Sequence, residues 1–335
     1  MDAADPHRRL SRLRSAFARG SFPRFVAVRL AATVVLLAVV SFVVFSLLHL
    51  APGDPARNLL GPRAATPELL ERLRARYHLD EPFLTQYVRW IGEVLRGDLG
   101  RSIRGDLRVT SLLADRAGLT FHLATMAFLL TAAVAVPAGV TAAWRAGSAF
   151  DRAVSALSIV GVGAPTFAIG LLLLYVFGVW LGAFPVYGSG EGFLDRTWHL
   201  ALPAITLASG IGAFVFKLTR TAVLGELQQD YVTFAEARGL PSARVRRIVL
   251  RNALVPVVTS LGLLFAFLFG GTVLVEYTFS VQGIGSLLAS SIAFKDIPVV
   301  QAITLVVAAF IALTALAVDL LYFAVDPRIR KRATT

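Results

Sequence analysis

Residues 26–50 read VAVRLAATVVLLAVVSFVVFSLLHL, with Arg29 as the single charge. Crossing the hydrocarbon of a bilayer takes about 20 apolar residues, so this run is a membrane span. An Arg-rich segment precedes it (Arg8, Arg9, Arg12, Arg14, Arg19, Arg24). The run is too long for the apolar region of a secretory signal. Leu50-Ala51-Pro52-Gly53-Asp54-Pro55 is also a poor small-residue cleavage site, so the segment reads as an uncleaved anchor.

Outward from it, five more apolar stretches are long enough to cross, near 119–143, 153–181, 203–224, 253–276 and 299–325. Each must be helical, because unpaired backbone groups in lipid have no water to bond. The expected fold is an all-α membrane protein with six transmembrane helices. Composition agrees. Of 335 residues 56% are hydrophobic and 16% charged, against roughly 25% charged in a soluble domain. That excludes a soluble enzyme and a disordered chain. The absence of Cys removes disulfides, thiolate catalysis and Cys-ligated metals.

The net charge of +12 would suggest nucleic acid in a soluble protein; in a membrane chain it points to basic loops held in the cytoplasm and to no nucleic-acid partner. Six spans put both termini on one side. With the N-terminus inside, segments 1–25, 144–152, 225–252 and 326–335 hold 17 Lys and Arg. The short outer loops 182–202 and 277–298 hold only Arg196 and Lys295, so both termini are expected in the cytoplasm. The long outer loop 51–118 carries 11 Arg but also nine acids, and long loops translocate largely regardless of charge. Within it, Thr66-Pro67-Glu68 reads as an N-cap, a first-turn proline and a first-turn acid. Leu69, Leu70, Leu73 and Tyr77 then share one helical face, and after Pro82 so do Phe83, Tyr87, Val88, Ile91 and Leu95. These two helices are either a cap over the bundle or a docking platform for an external partner.

Familiar catalytic patterns are absent. Lys217, Lys295 and Lys331 are the only lysines, and none lies in G-x-x-x-x-G-K-[ST], so the chain is no P-loop ATPase. No two of the five histidines have the i, i+4 spacing of an H-E-x-x-H zinc site. Gly188-Ser189-Gly190 ahead of His199 has no buried base to activate the serine and reads as a turn. Few ionisable groups lie in the spans. Lys217 and Arg220 either snorkel and build an inner gate or line a solute path. Asp319 is expected to pair with a neighbouring cation such as Arg29. Glu276 is a candidate for a solute or outer-gate contact. Gly178 and Gly182 form a small-x-x-x-small pair that would permit close helix approach.

The inner segment 225–252 reads GELQQDYVTFAEARGLPSARVRRIVLRN. It divides into a short helix near 229–238, a break at Gly239 and Pro241, and a basic helix near 242–252. Such a helix either fits a groove on a cytoplasmic partner or lies on anionic lipid.

This loop resembles the coupling loop of ABC importer permeases, whose pattern is Glu-Ala-Ala, three residues, Gly, then Ile-x-Leu-Pro. Gly239 fits the glycine and Ala235 the second alanine. Thr233 stands in place of the Glu, Phe234 replaces the first alanine, and Pro256 lies farther on than the pattern has it. The remainder is similar to the dipeptide/oligopeptide (and nickel) branch of these permeases. The resemblance rests on Leu50-Ala51-Pro52-Gly53-Asp54-Pro55, Gly97-Asp98-Leu99-Gly100-Arg101-Ser102, Ala164-Pro165-Thr166-Phe167, Leu274-Val275-Glu276-Tyr277-Thr278-Phe279-Ser280 with Gly283-Ile284-Gly285, Asp296-Ile297-Pro298-Val299-Val300-Gln301, Asp319-Leu320-Leu321-Tyr322 and Val325-Asp326-Pro327-Arg328-Ile329-Arg330.

The resemblance implies a type I ABC importer permease fold over residues 26–330, behind a basic cytoplasmic tail at 1–25. It implies a non-enzymatic translocation subunit in a bacterial inner membrane, with di- or oligopeptides as solute. ATP and Mg would be handled by two separate cytoplasmic ABC ATPases. A second homologous permease and an extracytoplasmic substrate-binding protein complete the implied assembly, with membrane lipid around it. Phe234, Ala235, Glu236, Ala237, Gly239 and Leu240 would form the ATPase contact, with Glu236 meeting a basic groove residue. Two other classes compete: a self-sufficient ion-coupled secondary transporter, which wants inverted repeats and helices broken near mid-membrane, and a channel, for which no carbonyl filter or charged ring is readable. No convincing repeat is present, though Pro137 and Pro165 are expected to interrupt spans two and three.

Overall fold

The computed structural model describes residues 22–50, 54–60 and 66–325. Most of the basic tail, the Ala51-Pro52-Gly53 of the first motif and the closing Asp326–Arg330 motif lie outside the described residues. In chain order the helices are α1 (Phe22–Leu50), α2 (Pro55–Leu60), α3 (Pro67–Tyr77), α4 (Phe83–Leu95), α5 (Val109–Trp144), α6 (Ala149–Gly163), α7 (Thr166–Leu173), α8 (Gly192–His199), α9 (Ala201–Leu227), α10 (Asp230–Ala237), α11 (Ser242–Thr278), α12 (Ile284–Ala293) and α13 (Ile297–Val325). A wider π-helical segment, Leu174–Trp180, prolongs α7. Among the described residues the only β pairing is an isolated antiparallel bridge between Arg101 and Arg108.

Helices α1, α5, α9, α11 and α13 are each long and apolar enough to cross a membrane. The third apolar stretch is not one straight helix: α6 and the α7 segment meet at a 109° bend. Proline at 165 disfavours helical backbone at Ala164, whose ψ is 135°. Pro137, by contrast, sits inside an unbroken α5. The basic segment expected as a separate helix near 242–252 is the first part of α11, which runs on through Pro256 to Thr278.

Helices α5 and α9 lie side by side in parallel along their length. Leu119, Leu123, Ala124 and Ala127 pack with Leu200, Leu202, Ala204, Leu207 and Ala208 at one end. Ala135 and Ala142 meet Val215 and Phe216 farther along, and Val140 and Ala143 meet Val223 at the other end. The buried small residues Ala127, Thr131, Ala135 and Gly139 recur every four positions, which lets the backbones approach closely. A Cβ at Gly139 would come within 2.8 Å of Thr219 Cβ and 2.9 Å of the Phe216 carbonyl. This stripe does what was expected of Gly178 and Gly182. Instead, Gly178 packs against Val186 and the Phe184 carbonyl of the turn that follows it, and Gly182, with φ +62°, ends the helix.

Helix α1 runs antiparallel to α13. Near its start Arg29 bonds Asp319 at 2.8 Å, the pairing expected from sequence; near its end the Val44 carbonyl accepts from Gln301. The start of α1, the 144–148 turn, α10 and the end of α13 therefore share one face of the bundle. The opposite face carries α2, α3, α4, α8 and the 279–296 segment. There, α3 begins as expected: the Thr66 side chain accepts from the Leu69 amide and Pro67 opens the helix. Leu69, Leu70, Leu73 and Tyr77 pack with Leu48 and Ala56. The α4 stripe is corrected. Phe83 and Tyr87 turn inward with Gln86 and Trp90, whereas Val88 and Leu95 are exposed.

Buried Asp296, one residue before α13, fastens the loop ahead of α5. Its carboxylate accepts from Ser102 Oγ and from the amides of Ile103 and Arg104. Asp296→Ala leaves these donors without an acceptor. The expected cost is about 1.5–3 kcal/mol, read as a lower Tm in detergent and faster amide exchange at Ile103 and Arg104.

Candidate coupling and gate sites

Helix α10 is short because its sequence supplies a complete stop. The Leu240 amide donates to the Ala235 carbonyl and the Gly239 amide to the Glu236 carbonyl. Gly239 has φ +72°, a conformation that costs an L side chain energy, so the pair forms a Schellman closure. Ala235, two residues before the helix end, and Leu240, three residues beyond it, both pack on the apolar cluster beneath that closure, and Pro241 prevents the helix from resuming before Ser242.

One face of α10 is bound to the bundle. Val232 is buried with Val140, Ala143, Val223, Val245 and Val249, and Tyr231, Ala235 and Leu240 pack against the same cluster. The Tyr231 hydroxyl donates to Glu226 at 2.5 Å and accepts from Asn252 Nδ2 at 3.3 Å. One phenol thus ties the end of α9, α10 and the start of α11 together. Burial, then the neighbouring Glu226 carboxylate, push this phenol above its usual pKa, so it remains a neutral donor at physiological pH. The opposite face is open: Phe234 is 67% exposed, and Glu236, Ala237 and Gly239 are exposed beside it. Of the six residues expected to form a contact, four are presented outward and two hold the helix in place.

The other candidate residues lie apart from α10. Arg220 in α9 grips Asp151 in α6 through two hydrogen bonds, Nε at 2.6 Å and Nη2 at 2.8 Å. Asp151 is only 3% exposed and also accepts from the Gly147 amide. Lys217, one turn before Arg220, is exposed and has no ion pair among the described residues. Glu276 is fully buried. Thr120 Oγ1 donates to its carboxylate at 2.7 Å, and the Ser286 amide, in the first turn of α12, donates at 3.0 Å. The same threonine oxygen accepts from the Ile284 amide. A carboxylate suits this place, where the first amides of α12 lack partners in their own helix. The carboxylate fits because residues 283 and 285 are glycines. A Cβ at Gly283 would collide with the Glu276 carboxylate, and one at Gly285 would lie 2.5 Å from Val273 Cα.

Sequence reasoning missed Asp151, Thr120, Tyr231, Glu226 and Asn252. Ser148-x-x-Asp151 is legible as a helix start, and Ser148 does accept from the Asp151 amide. Its partner Arg220 lies 69 residues away with no local signal.

A bundle of five helices long and apolar enough to cross a membrane, with one sharply bent apolar pair and a short helix protruding from one face, is the frame of a membrane permease. The comparisons name the family. Residues 135–331 match the binding-protein-dependent transport system inner membrane component, and residues 22–124 match the N-terminal part of such membrane components. The chain belongs to this family of inner-membrane permease subunits of ABC transporters, which are not themselves enzymes. It is 38% identical over 310 residues to a probable peptide ABC transporter permease, y4tP, of Sinorhizobium fredii, covering 91% of this chain and 99% of that protein. It is 39% identical to the glutathione transport system permease GsiC of Pectobacterium atrosepticum, covering 90% and 97%. It is 37% identical to a putative peptide transport system permease of Brucella abortus, again covering 90% and 97%.

Two substitutions test this geometry. Gly283→Ala forces the Glu276 carboxylate off the α12 amides and is expected to cost about 1–3 kcal/mol, seen as a lower Tm. Tyr231→Phe removes two hydrogen bonds without altering shape. Stability should fall by about 1 kcal/mol, while solute moved per ATP hydrolysed in the reconstituted transporter falls severalfold.

Proposed function

We propose that this chain is the translocation subunit of an ATP-driven importer for di- or oligopeptides, and that α10 is its drive shaft. The observation that carries the reading is one helix with two opposed faces. Val232, Ala235 and Leu240 fix it to the ends of α5, α9 and α11, while Phe234, Glu236 and Ala237 stand free. An apolar aromatic flanked by a carboxylate, on a stiff knob, suits a groove with a basic wall on a separate ATPase.

In this reading the face that carries α10 is cytoplasmic, in keeping with its Arg145, Arg152, Arg244, Arg246, Arg247 and Arg251. The start of α1 and the end of α13 lie on that side, so this reading puts both termini in the cytoplasm. Two cytoplasmic ABC ATPases hold ATP and Mg, and a second homologous permease completes the path. An extracytoplasmic binding protein delivers the solute to the opposite face. The relatives named as peptide and glutathione permeases support a peptide-like solute. Closure of the ATPases moves α10, and the bundle rocks with it rather than bending. The Arg220–Asp151 pair then acts as an inner-gate brace between α6 and α9, with Lys217 beside it. Glu276 acts as the anchor of the outer gate. No step needs a catalytic side chain in this chain; coupling needs a rigid helix and a close fit.

Gly239→Pro tests this. Proline cannot adopt φ +72° and has no amide for the Glu236 carbonyl, so the closure of α10 is lost while the spans still insert. ATP hydrolysis by the reconstituted complex should persist and peptide uptake should fall to background. Uptake unchanged by the substitution contradicts the role given to α10. Proton- or sodium-driven uptake by this chain alone would make it a secondary carrier instead.

A further inference from the structure

Helix α4 has three chemically distinct faces. Phe83, Gln86, Tyr87 and Trp90 turn to α1. Leu84, Val88, Ile91 and Leu95 share a second stripe, with Leu84 65%, Val88 65% and Leu95 81% exposed. Thr85, Arg89 and Glu93, spaced by four, make a third that is exposed and polar. A helix that simply capped a bundle in water would need only an inner apolar face and an outer polar one. The second apolar stripe calls for a third environment.

The contacts with α1 supply the depth and the direction. The rings of Phe83 and Trp90 both lie against Phe45, with centroids 5.5 and 5.4 Å away. Residues seven apart on a helix are separated by about 10 Å along its axis, so α4 crosses α1 instead of running beside it. With α1 spanning the bilayer, α4 lies close to the membrane plane. Phe45 is five residues before the end of α1, about 7–8 Å inside it. That is the depth at which helices lying in a membrane surface bury an apolar face. Tyr87 and Trp90 at this level match the preference of both residues for the headgroup region, and the Tyr87 hydroxyl is bonded to Ser41. The exposed apolar surface of α1, through Val39, Phe42, Val43 and Leu47, leads directly onto α4, because Phe42 touches Phe83 and Tyr87.

We propose that α4 is an interfacial helix: its Leu84–Val88–Leu95 ridge is seated in the acyl boundary of the leaflet around the outer end of α1, and its Thr85–Arg89–Glu93 stripe faces water. The helix then fixes how deep the outer half of the bundle sits in lipid. This rests on α1 crossing the membrane and not on the direction or solute of transport.

The chain has no cysteine, so a substituted cysteine is its only thiol. Spin labels at Leu84→Cys, Val88→Cys, Leu95→Cys, Thr85→Cys and Glu93→Cys are compared in the full transporter, its partner subunits made cysteine-free, in phosphatidylethanolamine/phosphatidylglycerol vesicles. Collisions with oxygen, which concentrates in lipid, are measured against collisions with a water-soluble nickel chelate. Oxygen should dominate at 84, 88 and 95, and the ratio should invert at 85 and 93. Nickel access at the three ridge positions overturns the proposal in favour of water. Shielding of all three from both reagents overturns it in favour of a covering protein.

Discussion

The close approach of α5 and α9 is the contact on which the rest of the molecule depends. Two membrane helices gain no hydrophobic drive from meeting in lipid, so they associate through packing at short range. Gly139 against Thr219 and Phe216 provides that, and the small residues at every fourth position of α5 extend it. The result is a two-helix beam that reaches from Leu119 and Leu200 on one face to Ala143 and Val223 on the other.

What hangs on each end of the beam differs in chemistry. On one face α10 is seated on Val140, Ala143 and Val223, with Tyr231 closing a polar link to its neighbours. Nearby, the Arg220–Asp151 pair joins α9 to the first turn of α6. On the other face Thr120 of α5 holds Glu276 of α11 and the first amides of α12 in one cluster. Polar groups buried in this way are tolerable only when bonded. Each cluster therefore favours the fully bonded arrangement.

Much of this was legible in the sequence because lipid leaves the backbone few choices. Spans followed from length and apolarity, the α3 cap from Thr66-Pro67-Glu68, the α10 stop from Gly239 and Pro241, and the Arg29–Asp319 pair from two charges at matching depth. What was not legible depends on partners distant in sequence. Pro137 and Pro165 present the same local argument, yet only Pro165 breaks its helix, since α5 is held along its length by α9. The α4 stripe mixed two faces because that helix is apolar toward both the protein and its surroundings. Glu276 is a lone acid in sequence, and only the fold shows Thr120, Gly283 and Gly285 converging on it. The Gly178–Gly182 pair matched a packing motif whose second glycine turned out to end a helix.

The central claim is that motion generated by a separate ATPase enters through the open face of α10. The most direct measurement is residue-specific photo-crosslinking from position 234 or 236 in the intact transporter, performed in membrane vesicles of both orientations. The account predicts a product with the ATP-hydrolysing subunit, and labelling of the same positions by an impermeant reagent only from the cytoplasmic side. Crosslinking to lipid alone, or labelling from the outer side, would contradict it.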